Sequence, residues 1–143
     1  MSQRSQRKEE HLALAKMFFN SNKNNDFMHI HLIRPALPES AVSKESIATE
    51  MFGQKISAPF FINAMTGGSD ASYTINRRLA QAAAKENIPM ALGSASILEK
   101  EIDQIKSFEI ARQENPDGLL FANVNPTTKP KVAQKIVQVL NAN

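Results

Sequence analysis

The residues best equipped for chemistry lie in a basic leader and in three small-residue breaks. Arg7 and Lys8, followed by Glu9, Glu10 and His11, set a guanidinium beside an ammonium near the start of the chain. A guanidinium grips phosphate oxygens through paired N–H groups, and an ammonium meets them as a point charge, so the pair suits a phosphorylated ligand. A mobile leader of this kind could close over its anion and become ordered only then. The plainer alternative is a solvated helix start, with Glu9 and Glu10 cancelling the charge. The breaks are Asn63-Ala64-Met65-Thr66-Gly67-Gly68, Gly93-Ser94 and Asn123. They share small side chains, hydroxyls, carboxamides, and glycines that let backbone come close. No carboxylate, lysine or histidine stands among them, so they suit a planar, hydrogen-bonding heteroaromatic ligand better than a hydrolytic centre. The plainer alternative is a flexible Gly67-Gly68 connection and an ordinary cap at Asn123. His29 and His31 could chelate a metal from one strand, but no third ligand is evident. They read as surface histidines.

Positioning those breaks requires strands that lead into them. Three short apolar runs do so: Pro59-Phe60-Phe61-Ile62-Asn63-Ala64, Met90-Ala91-Leu92-Gly93, and Leu119-Leu120-Phe121-Ala122-Asn123-Val124. They start about thirty residues apart, roughly one βα unit each. Runs that are apolar on both sides, not alternating, belong beneath helices in a parallel sheet. Helical spacing fills the intervals. Ile75, Leu79, Ala82 and Ala83 share a face behind an N-cap at Ser69 or Asp70, and Pro89 stops that helix. Ile102, Ile105 and Phe108 mark a second helix, ended by the turn Asn115-Pro116-Asp117-Gly118. Val132, Ile136 and Leu140 mark a third, with Pro130 in its first turn. In parallel α/β architectures ligands bind at the C-terminal ends of strands, which is where the breaks fall.

Residues 1–57 are less regular and form an N-terminal segment; residues 58–143 carry the repeating pattern. Within the segment, Leu12–Phe19 has helical spacing and Asn20–Asn25 is a polar loop. Phe27–Ile33 alternates and predicts a strand ended by Pro35 and Pro38. Ser46–Phe52 predicts another short strand, closed by Gly53.

Length and composition bound these readings. A chain of 143 residues is one ordinary domain, and 42% hydrophobic with 22% charged residues is a globular balance. Seventeen Lys and Arg against fourteen Asp and Glu give only +3, too mild for a dedicated nucleic-acid binder. The absence of cysteine excludes disulfides, thiolate metal sites and cysteine nucleophiles. No apolar stretch follows the N-terminal charges as in a signal peptide, and no run is long enough for a bilayer. A cytoplasmic protein with neither nucleic-acid nor membrane partners is expected. A complete barrel of eight βα units needs roughly 250 residues. Two architectures remain open, a small three-stranded α/β domain and the opening part of a (β/α)8 barrel. The second is favoured, because three parallel strands alone leave both edges unpaired and the chain stops without a terminal cap or tail.

Taken together, Arg7-Lys8-Glu9-Glu10-His11, Leu37-Pro38-Glu39, Phe61-Ile62-Asn63-Ala64-Met65-Thr66-Gly67-Gly68, Gly93-Ser94 and Ala122-Asn123 resemble the type 2 isopentenyl-diphosphate isomerases. The resemblance spans essentially the whole chain, in motif order and spacing, and the Asn-Ala-Met-Thr-Gly-Gly block is its most specific part. It implies an α/β fold, the N-terminal part of a TIM (β/α)8 barrel with about three βα units. It also implies FMN at the C-terminal face of the strands. The activity implied is interconversion of isopentenyl diphosphate and dimethylallyl diphosphate by flavin-assisted proton transfer without net redox change. Mg²⁺ is needed, and NADPH serves as the reductant. By the same resemblance Ala64, Met65 and Thr66 line the flavin, while Ser94 and Asn123 bond its edge. Arg7, Lys8 and His11 hold the substrate diphosphate, with Ser94 also near it. Catalytic and metal-ligating side chains belong to later strands, and the relatives favour homo-oligomers. One departure is Ala95-Ser96, where the family often has Gln and a further polar or basic residue. The chain is therefore expected to be an N-terminal piece of a longer product, inactive alone. The other classes in play are a different FMN barrel oxidoreductase and a non-catalytic binding fragment.

Overall fold

The described residues of this computed structural model are 3–20, 26–33, 36, 47–99 and 101–143. Pro35, the Leu37-Pro38-Glu39 motif, Ser46 and nearly all of the Asn20–Asn25 loop lie outside them. In chain order the regular elements are α1 (Gln3–Met17), β1 (Thr49–Met51), β2 (Gln54–Ile56), α2 (Asp70–Glu86), β3 (Met90–Ser94), α3 (Lys106–Glu114), β4 (Leu120–Asn123) and α4 (Pro130–Val139). Short 3-10 turns cover Asp26–His29, Ala95–Glu99 and Ile102–Ile105. Helices and strands are mixed, and the described strands form two small sheets. One is the antiparallel hairpin of β1 and β2; the other is the parallel pair of β3 and β4.

The hairpin turns on Phe52 and Gly53, both at positive φ (51° and 78°). Two such residues make the tight turn whose twist matches its strands. The Phe52 ring packs edge-on against Phe121, centroids 5.8 Å apart. At the other end, Asn87 caps α2 in the left-handed conformation and donates from Nδ2 to Lys55 O at 3.1 Å. One residue thus ends a helix and fastens the hairpin to it.

In the parallel pair, Met90 stands against Leu120, Ala91 against Phe121 and Ser94 against Asn123, with a register irregularity between Ala91 and Ser94. The run Pro59–Ala64 corrects the expectation of a full first strand. It contributes a single parallel bridge, Ile62 to Met90, supported by Ile62 N–H to Pro89 O (2.9 Å) and Ala91 N–H to Ile62 O (2.8 Å). Pro59 has no N–H to give, and the Phe60 N–H turns back to Ala58 O at 2.8 Å, so the start of the run cannot join a ladder. The alternation of Phe27–Ile33 is likewise not a strand. Asp26–His29 closes into a 3-10 turn, with Ile30 N–H to Phe27 O at 3.1 Å, and residues 27–33 are exposed. Alternation holds a strand only where one face is covered, and here neither face is.

The core joins Ala80 and Ala83 of α2, Met90 and Leu92 of β3, Phe108 and Ala111 of α3, Leu120 of β4, and Ile136 with Leu140 at the end of α4. Pro130 takes the first turn of α4 and Ser69 caps α2, accepting from Ser72 N–H at 3.3 Å. The face that α2 buries is rotated from the one its apolar spacing predicts. Ser72, Asn76, Ala80 and Ala83 are buried, Ile75 and Leu79 only half so, and Ala82 is exposed. The second helix also differs: Ile102 sits in a separate 3-10 turn and remains exposed, while Phe108 is fully enclosed.

Arg112 of α3 secures the turn at residues 115–118 to the end of the chain. Its Nη1 donates toward Asn115 O, Pro116 O and Gly118 O (2.8–3.1 Å), its Nε to Asn141 O and its Nη2 to Asn143 Oδ1. Asn143 lies along the outer edge of β4, its N–H on Leu120 O at 2.8 Å and its Oδ1 accepting from Leu120 N–H at 2.9 Å.

Two outcomes follow for stability. A Cβ on Gly93 would fall 2.5 Å from the Thr66 backbone carbon and oxygen, which cannot swing aside. Gly93→Ala is expected to lower unfolding free energy by about 1–3 kcal/mol or more in urea titration. Between α2 and α3, Glu114 accepts from Gln81 (2.9 Å) and from Arg77 (2.7 Å). Those hydrogen bonds, Gln81's first, hold its carboxyl below the ordinary carboxylate value. The charged form is favoured in the fold, so this stabilisation is complete at neutral pH and fades as pH falls through the lowered value. Thermal melts should show wild type above Glu114→Gln at pH 7, with the gap closing in acid.

Candidate functional site

The three breaks converge at the C-terminal ends of the strands, and their geometry is set from beneath by buried polar groups. Thr66 O accepts the Gly93 N–H at 3.0 Å, joining the first break to the second. It also accepts from Asn76 Nδ2 (3.3 Å), and the same amide donates to Ser107 O at 2.7 Å. The Ser107 hydroxyl takes the Gly68 N–H (2.8 Å) and donates to Gln104 O (2.8 Å). Thr66 Oγ1 meets Ser72 Oγ at 2.8 Å, and Ser72 Oγ meets Ser69 Oγ at 2.7 Å. Gly67 lies directly on the Phe108 ring, where a Cβ would fall 2.2 Å from a ring carbon. The segment 66–69 is therefore a tied loop, and glycine is needed there for close packing.

Above this foundation the side chains face outward. Ala64 is half-buried, Met65 is 69% exposed, and Ser94 and Asn123, register partners across β3 and β4, are both exposed. Ser94 Oγ lies 3.0 Å from Ser96 Oγ, so the Ala95-Ser96 departure places a second hydroxyl beside the first. Thr66 differs from its neighbours. It is buried, and its hydroxyl is engaged with Ser72.

The leader reaches the same place. Lys8 of α1 donates from Nζ to Gly67 O and to Ser94 O, the latter at 3.2 Å, and its ammonium lies 5.7 Å from the centre of the Phe108 ring. Cation–ring attraction and two carbonyls offset its partial loss of water. Burial, and then the charge of Arg7, lower the Lys8 pKa from 10.5. Glu9 stands beside it, its Oε1 accepting the Ala71 N–H of α2 at 3.3 Å. Arg7 and His11, one helical turn apart, are exposed. Glu10 instead accepts from Gln6 at 3.1 Å on its own helix. His29 and His31 are exposed, away from any described strand.

Sequence reasoning did not single out Ser72, Asn76 or Ser107, because an apolar-periodicity reading passes over small polar residues. A spacing of four between Ser72, Asn76 and Ala80 was the available signal, a stripe of small groups along α2.

A family model described as FMN-dependent dehydrogenase matches residues 14–142. Among curated proteins, the chain is similar to the "Isopentenyl-diphosphate delta-isomerase" of Limosilactobacillus reuteri, 40% identical over 144 residues covering 99% of this chain and 41% of that one. It is similar to proteins of the same name from Latilactobacillus sakei, 39% identical over 139 residues (97% and 40% covered), and Listeria monocytogenes, 36% identical over 140 residues (98% and 39%). The chain spans about two fifths of the length of these relatives.

The Lys8 environment has a direct consequence. In an NMR titration its side-chain amine should lose its proton below the ordinary lysine value of 10.5, because burial strips water from the ammonium and the Arg7 charge repels it, more than its carbonyl and ring contacts restore. A midpoint at or above 10.5 would mean that those contacts outweigh the lost water.

Proposed function

We propose, since the chain belongs to the FMN-dependent dehydrogenase family, that it supplies the N-terminal part of a flavin-binding TIM barrel interconverting isopentenyl diphosphate and dimethylallyl diphosphate. In this reading residues 1–57 are an N-terminal segment with the basic substrate-binding tail, a helix and short strands, and residues 58–143 the first three βα units of an incomplete barrel. The mixed α/β architecture with a parallel pair is consistent with part of such a barrel. The observation that carries the reading is the contact of Lys8 with Gly67 O and Ser94 O, which brings the basic leader to two of the small-residue breaks.

Reduced FMN, when bound, would supply the group that exchanges a proton with the alkene. Ala64 and Met65 would face its ring, Thr66 would carry the backbone beneath it, and Ser94 and Asn123 would hydrogen-bond its edge. Four of these five residues, all but Thr66, are exposed or half-buried, and the close backbone packing at Gly67 and Gly93 supports this reading. Arg7, Lys8 and His11 would hold the diphosphate, Arg7 by paired N–H donation and Lys8 as a point charge. Lys8 would exchange its carbonyl partners for phosphate oxygens, a stronger charge-assisted pairing. Mg²⁺ would neutralise the rest of that charge, and NADPH would keep the flavin reduced. The exposed Met65 side chain would give the carbocation-like alkene apolar, polarisable surroundings. A homo-oligomer in the cytoplasm completes the proposal.

The family description favours one further reading, a flavin oxidoreductase that consumes a redox substrate. The two separate in one experiment. Residues 1–143 are spliced to the remaining length of the Limosilactobacillus reuteri relative, and the chimera is reduced and given isopentenyl diphosphate. A yellow protein that forms dimethylallyl diphosphate on a catalytic amount of reductant supports isomerisation. A colourless chimera, or turnover that uses reductant stoichiometrically, would falsify it. In the same chimera Arg7→Ala with Lys8→Ala should raise KM by about tenfold or more, as expected for lost charged hydrogen bonds. The flavin spectrum should be unchanged; unaltered kinetics would remove the leader from the site.

A further inference from the structure

Among the described side chains of α1, only Lys8, Glu9 and Leu12 are half-buried, and the rest are exposed. The helix therefore rests on the strand ends through one narrow stripe, and two of its three members are charged. A mostly polar helix of 15 residues is marginal by itself in water, so this stripe decides whether it stays formed. Lys8 supplies cation contacts to Gly67 O, Ser94 O and the Phe108 ring. Glu9 supplies an anion contact to a different partner, the Ala71 N–H at 3.3 Å.

The first turn of α2 explains why Glu9 fits there. Helix-start N–H groups have no partner within the helix and carry partial positive charge. Ser69 Oγ satisfies Ser72 N–H, and the Ser69 carbonyl satisfies Tyr73 N–H at 3.3 Å. The Ala71 N–H is met from 62 residues away, by the Glu9 carboxylate. Glu10, one position on, is exposed and bonds only within α1 in the contacts described.

We propose that Glu9 is a positioning residue: by accepting the Ala71 N–H it docks α1 across the strand ends and holds Lys8 above Gly67 and Ser94. The charge reading of the leader, in which Glu9 merely cancels Arg7 or Lys8, is thereby replaced for this residue. Its use toward a diphosphate rests on the function proposed above; the docking itself does not.

The test uses amide hydrogen exchange by NMR on the 143-residue chain. Glu9→Ala should speed exchange at Ala71 and across the middle of α1 by about tenfold or more, while Leu92 and Ala111 in the core stay protected. Glu9→Gln keeps a side-chain oxygen able to accept and should restore most of the protection; Glu10→Ala should behave as wild type. Unchanged exchange in Glu9→Ala overturns the proposal, as does a Glu9→Gln variant no better than alanine, or a Glu10→Ala variant that matches Glu9→Ala. Inorganic pyrophosphate is then titrated into the same proteins. If exchange responds as stated and pyrophosphate shifts no Lys8 or Arg7 resonance, the diphosphate reading falls and the docking stands.

Discussion

Two hydrogen bonds from the Asn76 amide, to Thr66 O and Ser107 O, hold the first small-residue break against α2 and α3. They join α2, the loop before it and the start of α3 through one fully buried group. A buried carboxamide stripped of its partners costs about 1–3 kcal/mol, so the loop and both helices must keep their places together. Because Thr66 O also receives the Gly93 N–H, the same amide sets the end of β3 against the loop. The serine hydroxyls continue the pattern, with Ser107 serving Gly68 and Ser72 linking Thr66 to Ser69. Polar groups, not apolar bulk, give this end of the molecule its shape.

That rigidity changes what the glycines mean. Gly67 and Gly68 could have been a loose connection, yet Gly67 lies on the Phe108 ring and Gly68 is bonded to Ser107. Gly93 presses on the Thr66 backbone. Gly67 and Gly93 remove side-chain volume where backbone must touch an aromatic ring or other backbone, and Gly68, at φ 85°, faces the Ile97 side chain. The surface left around them exposes Met65, Ser94 and Asn123. The ammonium of Lys8 already rests at one side of it, its charge met by carbonyl dipoles and an aromatic face.

The leader and the strand ends meet through charge, and this sets the balance of the site. Lys8 sits in a partly dehydrated place without a carboxylate among the contacts described, so an incoming anion would find an under-compensated cation. Arg7 and His11 are exposed on the same helix. A helix held, among its described side chains, by Lys8, Glu9 and Leu12 is lightly docked compared with α2 and α3, which contribute Ala80, Ala83, Phe108 and Ala111 to the core.

Local signals in the chain determined where elements start and stop. Ser69 caps α2, Asn115–Gly118 makes its turn, Pro130 opens α4, and Val132, Ile136 and Leu140 face the core to increasing depth. These depend on groups a few residues apart, which any stretch of chain carries with it. The small-residue breaks and the basic leader were legible as chemistry for the same reason. Their meeting was not. Lys8 with Gly67 and Ser94, Glu9 with Ala71, and Asn76 with Ser107 join residues separated by 31 to 86 positions. Tertiary structure likewise decided the fate of two apolar stretches, since Phe27–Ile33 has no covering layer and Pro59–Ala64 adds one bridge. Periodicity states which side chains could be buried; only the neighbours brought up by folding determine which ones are.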